Sequence, residues 1–257
     1  MESKQTPLIT IITATYNSGS VIEKSILSVI DQTYKNIEYI IIDGNSTDGT
    51  VGIIEKYDKY ITKWISEPDK GVYDAWNKAL KLSSGNWITF IGSDDVFYPS
   101  ALADYVDFIN TYSEADLEFI SSKMHLVTMT GKIIKPLGLP WIWKKARLEN
   151  TIAHPGALHS RVLFEKYGHF DTDFRICGDY ELLLRPGKDF KTAFMHKFTV
   201  RMAQGGLSGN SKKLFKEHYR AVTTTGKLDI NTARFYYVFQ MLKHYVKFGL
   251  RSLGKDI

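Results

Sequence analysis

The sequence predicts an α/β fold: a mostly parallel sheet flanked by helices, then a smaller half with a mixed sheet, then a helical tail. Three observations lead there. Short β-branched runs alternate with segments of helical apolar spacing from Leu8 to Asp95, the pattern of strand–helix–strand units with right-handed crossovers. Each run closes on a polar residue, Thr13, Asp43, Ser66 or Asp94, at the carboxyl edge where open α/β sheets bind ligands. Beyond Tyr112 the alternation gives way to short strand-like pieces around Gly131, which predict a hairpin and a mixed sheet.

Taken in order, residues 8–13 read as a buried parallel strand. Ser20 and Glu23 have the spacing of a capping box, and the apolar repeat after them predicts a helix to Asp31. Residues 37–42 are a second strand, 44–50 a turn-rich segment and 51–57 a helix. A shorter strand over 61–66 is broken by Pro68 and Gly71, and 72–82 read as a helix carrying Tyr73, Asp74, Asn77 and Lys78. The run from Trp87 then ends abruptly in Asp94-Asp95. Helices are predicted over 100–112 and 161–167, an irregular aromatic loop over 139–145, and a further helix opening near Asp179. These elements group as a domain over 1–210, with halves 7–98 and 99–210, followed by a tail over 211–257.

Composition narrows the class. The chain has 257 residues, 44% of them hydrophobic, enough for one good core. A net charge of +5 balanced by 28 acidic residues does not call for nucleic-acid binding. A single cysteine, Cys177, excludes an internal disulfide and suits a reducing compartment. No apolar stretch reaches the roughly 18 residues of a membrane span, so a cytoplasmic protein is expected. The tail is the exception to the even charge. Phe235, Val238, Phe239, Leu242, Val246, Leu250 and Leu253 fall along one helical stripe and Lys243, Lys247 and Arg251 along another, which reads either as a helix docked on its own domain or as a basic amphipathic helix lying on a membrane.

Asp94 and Asp95 are the sharpest local signal. Adjacent like charges repel, and a bound divalent cation would relieve them. The competing reading is a helix cap, since Ser, Asp and Pro cluster before the next helix. Asp179 at a helix start has the same dual reading.

Four motifs in order decide between these readings. They are Ile11-Ile12-Thr13-Ala14-Thr15-Tyr16-Asn17, Ile41 to Thr50 with Asp43-Gly44-Asn45-Ser46, Glu67-Pro68-Asp69-Lys70-Gly71-Val72-Tyr73-Asp74-Ala75-Trp76-Asn77-Lys78, and Gly92-Ser93-Asp94-Asp95. Together they resemble family-2 glycosyltransferases, inverting enzymes of the GT-A fold that use nucleotide-sugar donors, over residues 7 to 209. The resemblance implies a UDP-sugar donor held by Thr13, Tyr16, Asn17, Asp43, Asp74, Asn77 and Asp94, and a divalent metal, Mn2+ or Mg2+, on Asp95 and Asp94. It implies Asp179 as the base that takes the acceptor's proton, with His154 and Trp141 toward the acceptor. Gln204-Gly205-Gly206-Leu207-Ser208 resembles the glycine-rich segment that folds over the donor. The chain departs from many relatives by carrying glycine at 44, 92 and 178, where they carry acids. With the basic tail, the expected acceptor is a lipid-linked glycan of bacterial surface polysaccharide assembly, reached from the inner face of the membrane. A catalytically lapsed nucleotide-sugar-binding protein and a sugar nucleotidyltransferase are the alternatives.

Overall fold

The computed structural model describes residues 5–112, 116–205 and 211–252. Four parallel strands form its first half: β1 (Ile9–Thr15), β2 (Ile37–Asp43), β3 (Lys63–Ser66) and β4 (Trp87–Gly92). Their isoleucine-rich centres are enclosed on both faces, which is why they read as near-continuous apolar runs. The connecting helices are α1 (Ile22–Ile30), α2 (Thr50–Lys56) and α3 (Val72–Leu82).

The second half continues the same sheet. It contains β5 (Val96–Phe97), α4 (Ala101–Thr111), β6 (Phe119–Val127), β7 (Ile133–Leu137), α5 (Trp143–Ala146), β8 (Ala153–Ser160), α6 (Arg161–Tyr167), α7 (Gly178–Leu184) and β9 (Thr192–Ala203). Among the described residues nine strands join in the order β3-β2-β1-β4-β8-β6-β9-β5, with β7 on β6. β8 lies antiparallel to β4, pairing Thr89 with Leu158. Its beginning therefore runs on past Thr89 toward the carboxyl end of β4, where the two aspartates are.

Pleating divides the core in two. Ile9, Ile11, Ile41 and Ile91 face α1, α2 and α4, while Ile12, Ile40, Ile42 and Phe90 face α3, α6 and α7. The chain closes with α8 (Ser211–Thr224) and α9 (Ile230–Ser252). Ala221, Val222 and Ala233 belong to the α3–α7 core, so a boundary at 210 does not separate α8 and the first turn of α9 from the domain.

One sequence expectation needs correction, and two strands left no clear pattern in the sequence. The capping box does not form: α1 starts at Ile22 after Val21 without a side-chain cap, and Glu23 instead accepts from Lys56 and Tyr57 on the next unit. β8 carries His154-Pro155-Gly156, a stretch whose proline and glycine argue against a strand. β9 is 12 residues long but mixes His, Lys and Arg into its apolar residues, which hid its periodicity.

Candidate functional site

The carboxyl ends of β2, β1 and β4 lie side by side, Thr15 opposite Asp43 and Ala14 opposite Gly92. Side chains tie the loops that follow. Asn17, at φ +48°, donates its amide to Ser46 Oγ and accepts from the Thr47 amide. Ser93 Oγ donates to Ser18 Oγ at 2.9 Å. The β1 loop is thereby bound to both neighbours, and Tyr16 at its tip is 65% exposed, an aromatic face open to a ligand.

Two predicted donor contacts sit beneath this surface. Thr13 is fully buried, with its hydroxyl 3.2 Å from Tyr39 Oη. The pleat turns it to the α1 face with Ile9 and Ile11, and its hydroxyl is engaged there. Asp43 is also fully buried, accepting from the Ser46 amide and hydroxyl and from Ser66 Oγ. It organises the turn and does not line the opening. Asn77 spends both halves of its amide on the Phe170 backbone, and Asp74 accepts from the Lys70 amide and pairs with Lys78. Both close loops. Sequence reasoning missed Asp69 and Arg175. Asp69 Oδ2 and the Tyr16 ring crowd the space over Gly44, and the Arg175 guanidinium packs on Gly71.

Asp94 and Asp95 follow β4 directly. Asp95 is buried and accepts from the Ala203 and Gly92 amides at 3.1 and 3.3 Å. Burial, then the neighbouring Asp94, pushes its carboxyl up to about 7. A Cβ on Gly92 would lie 2.8 Å from Asp95 Oδ2 and 3.0 Å from Asp94 Oδ1, so the two carboxylates converge on one point. Among the described residues no group of three His, Cys, Asp or Glu could hold a metal ion. Two converging carboxylates still suit Mg2+ or Mn2+, which commonly take one or two carboxylates and complete their shell with substrate phosphates and water. A cleft of about 590 Å³ opens beside Asp94 between α1 and the β6–β7 turn, lined among others by Lys24, Tyr98, Met129 and Arg201.

Asp179 stands in the first turn of α7, on the α3 side of the sheet. Tyr73 Oη donates to Asp179 Oδ1 at 3.0 Å, and His154 Nδ1 lies 3.8 Å from Oδ2. Burial, the largest effect, raises the Asp179 carboxyl above the usual aspartate range. His154 is neutral, its pKa lowered to about 3 by burial, and 3.8 Å is too long for a hydrogen bond. Its ring stacks on Trp76, which packs on Phe90 of β4. Asp179 is thus linked through His154 and Trp76 to the strand that ends in Asp94-Asp95. Trp141, expected near the acceptor, sets its ring edge-on to Phe190 against the core. Phe190 in turn stacks on Phe119 at the start of β6, so the indole is occupied in packing.

The family model for glycosyl transferase family 2 matches residues 10–219. The chain belongs to that family. This glycosyltransferase is similar to a "PGL/p-HBAD biosynthesis glycosyltransferase" of Mycobacterium bovis, 27% identical over 209 residues and 79% of each chain. Its fold is that of S. aureus TarS 1–349 in complex with UDP-GlcNAc, with a TM-score of 0.65 and 18% identity over 97% of this chain and 76% of that one. It also matches a mannosyltransferase from Pyrobaculum calidifontis in complex with GDP-Man and Mn2+, with a TM-score of 0.63 and 17% identity over 90% of this chain and 70% of that one. The glycosyltransferase spans 38% of a longer TarS chain.

Packing explains how this glycosyltransferase accommodates its three glycines. A Cβ at Gly44 would meet Asp69 Oδ2 at 2.8 Å, at Gly92 it would meet Asp95 Oδ2 at 2.8 Å, and at Gly178 it would meet the Tyr73 ring at 2.8 to 2.9 Å. The space beside each glycine is filled by a neighbour. At Gly44 and Gly92 that neighbour is itself a carboxylate, and at Gly178 it is the tyrosine that binds the candidate base.

Proposed function

We propose that this glycosyltransferase inverts configuration while moving one hexosyl or N-acetylhexosaminyl unit from a UDP-sugar to a hydroxyl of a lipid-linked glycan, in bacterial surface polysaccharide assembly. The observation that carries the reading is the part-buried Asp179 carboxyl, oriented by Tyr73 and packed through His154 and Trp76 toward the strand that leads into Asp94-Asp95. The Asp179 carboxylate takes the proton from the acceptor hydroxyl as that oxygen bonds to the anomeric carbon. The bond from that carbon to the phosphate oxygen breaks, and UDP leaves from the opposite face. Tyr16 would stack on the uracil ring, and Asp94 and Asp95 would hold a divalent ion, which when bound would supply positive charge to the leaving diphosphate. UDP and UDP-GlcNAc complexes of TarS support a nucleotide-sugar donor.

Donor binding is tested by thermal shift. UDP with Mn2+ at about 100 times its Kd should stabilise the protein by roughly 2.7 kcal/mol. Asp95→Ala should lose most of that increment, and a full increment in the variant would remove Asp95 from the metal site.

The membrane side of the proposal rests on α9. Phe235, Val238, Phe239, Leu242 and Val246 are 49% to 69% exposed, while Ala233 and Tyr237 face α8 and the core. Residues 230–252 contain no Asp or Glu, so the helix carries only positive charge beside its apolar stripe, which suits an anionic lipid surface. Among the described residues no helix is long and apolar enough to cross a membrane, and an interfacial helix needs no such span. Replacing Phe235, Phe239 and Leu242 together by Ser should abolish sedimentation with phosphatidylglycerol vesicles while leaving Tm unchanged. Undiminished sedimentation would remove the lipid surface from the proposal.

A further inference from the structure

The segment that leads into α7 carries an unusual load of charge-directed bonds from a distant helix. Glu217, on α8 and 8% exposed, accepts from three successive backbone amides. Arg175 N lies 3.1 and 3.0 Å from its two oxygens, and Ile176 N and Cys177 N lie 2.8 and 3.0 Å from Oε2. Bonds to an ionised acceptor are among the stronger hydrogen bonds in proteins. Consecutive amides turned to one side form the concave nest that suits an anion. Here the anion is the protein's own side chain, and the next turn of chain presents Asp179. A second tie runs parallel to the first, Thr225 Oγ1 donating to Glu181 Oε1 at 2.7 Å.

We infer that Glu217 is a positioning residue for Asp179: from α8 it grips the Arg175–Cys177 amides and so sets where the carboxylate of α7 points. The inference rests on the reading of Asp179 as the base. Tyr73 from α3 fixes one carboxylate oxygen. Glu217 holds the backbone on the other side. The nest also brings Arg175 to the rim, where its guanidinium packs on Gly71, so one carboxylate orders both the base and a cation near the donor loop. The groups that face Asp179 are Tyr73 from α3, His154 from β8, Cys177 from its own loop and Glu217 from α8. Of these Glu217 is the anion, and its charge adds to burial, the larger cause, in raising the Asp179 carboxyl.

Two variants of the full chain separate charge from geometry. Glu217→Gln keeps the length and removes the charge, while Glu217→Asp keeps the charge and shortens the reach. Both are expected to lower kcat about 10- to 100-fold, the effect of a displacement near 1 Å, on the UDP-sugar that the wild-type protein hydrolyses fastest, with donor KM unchanged. Carbon-13 titration of the Asp179 carboxyl needs no substrate, and Asp179→Asn assigns its signal. That titration is expected to move to lower pH in Glu217→Gln and to stay in place in Glu217→Asp, because removing a negative charge favours the ionised base. Variants that only melt earlier, with kcat and the Asp179 titration both unmoved, would overturn the inference by reducing Glu217 to a structural tie. Wild-type turnover in Asp179→Asn would overturn the reading of Asp179 as base instead, while the titration would still decide whether Glu217 acts on that carboxyl.

Discussion

Asp179→Asn is expected to lower turnover by about 10²- to 10⁴-fold, the usual worth of a positioned general base, with donor affinity unchanged. The amide matches the carboxylate in size and can still accept from Tyr73 Oη, which donates to Oδ1 at 3.0 Å. Folding should therefore be preserved while the proton acceptor is gone. That loss corresponds to roughly 3 to 5 kcal/mol of transition-state stabilisation. The wild-type pH profile checks the same assignment. A base works only when ionised, and burial raises this carboxyl above the usual aspartate value. Activity should consequently fall as pH drops through that raised value, at a higher pH than an exposed aspartate would set. Measuring kcat and donor Kd separately for the variant decides the matter, since near-wild-type kcat would move the base elsewhere.

Gly178→Glu is the second large effect, and it runs against expectation. It supplies the acid that the family resemblance leads one to expect at this position, yet it should damage this protein. The first added atom would lie 2.8 to 2.9 Å from the Tyr73 ring, which is itself 3% exposed and packed on Trp76 and Phe170. Overpacking of this kind costs about 1 to 3 kcal/mol, or a Tm loss of roughly 2 to 12 °C in a domain of this size. A displaced Tyr73 also releases Asp179 Oδ1, so turnover should fall with Tm. Differential scanning calorimetry with donor-hydrolysis assays reads both quantities. A variant as stable and active as wild type would show that the ring has somewhere to go.

Much of the frame was legible along the chain. Alternating β-branched runs and helical repeats gave the parallel half in the right order, and Asp94-Asp95 stood out because an apolar strand stopped on them. The site's inner details were not legible in the same way. Thr13 and Tyr16 belong to one motif, but Thr13 lies inside β1 and turns into the core beside Tyr39, while Tyr16 lies past the strand's end and reaches solvent. Asp43 and Asn77 sit where motif reasoning placed donor contacts, yet their polar atoms are already taken by Ser46, Ser66 and Phe170. Tyr73 left a usable trace, because it precedes Trp76 by one helical turn and the pair reads as an inward aromatic stripe. Glu217 left none, since a lone glutamate in a basic helix looks like a surface charge.

What the sequence determined alone is the order of elements in the parallel half and the polar residues that close its strands, because local periodicity and adjacent charges act over a few residues. The tertiary structure decided which of those groups face the opening, what fills the space beside Gly44, Gly92 and Gly178, and what holds Asp179. Those outcomes depend on residues far apart in the chain, 106 positions for Tyr73 and Asp179 and 108 for Asp95 and Ala203. Only the packed chain brings such partners within hydrogen-bonding distance.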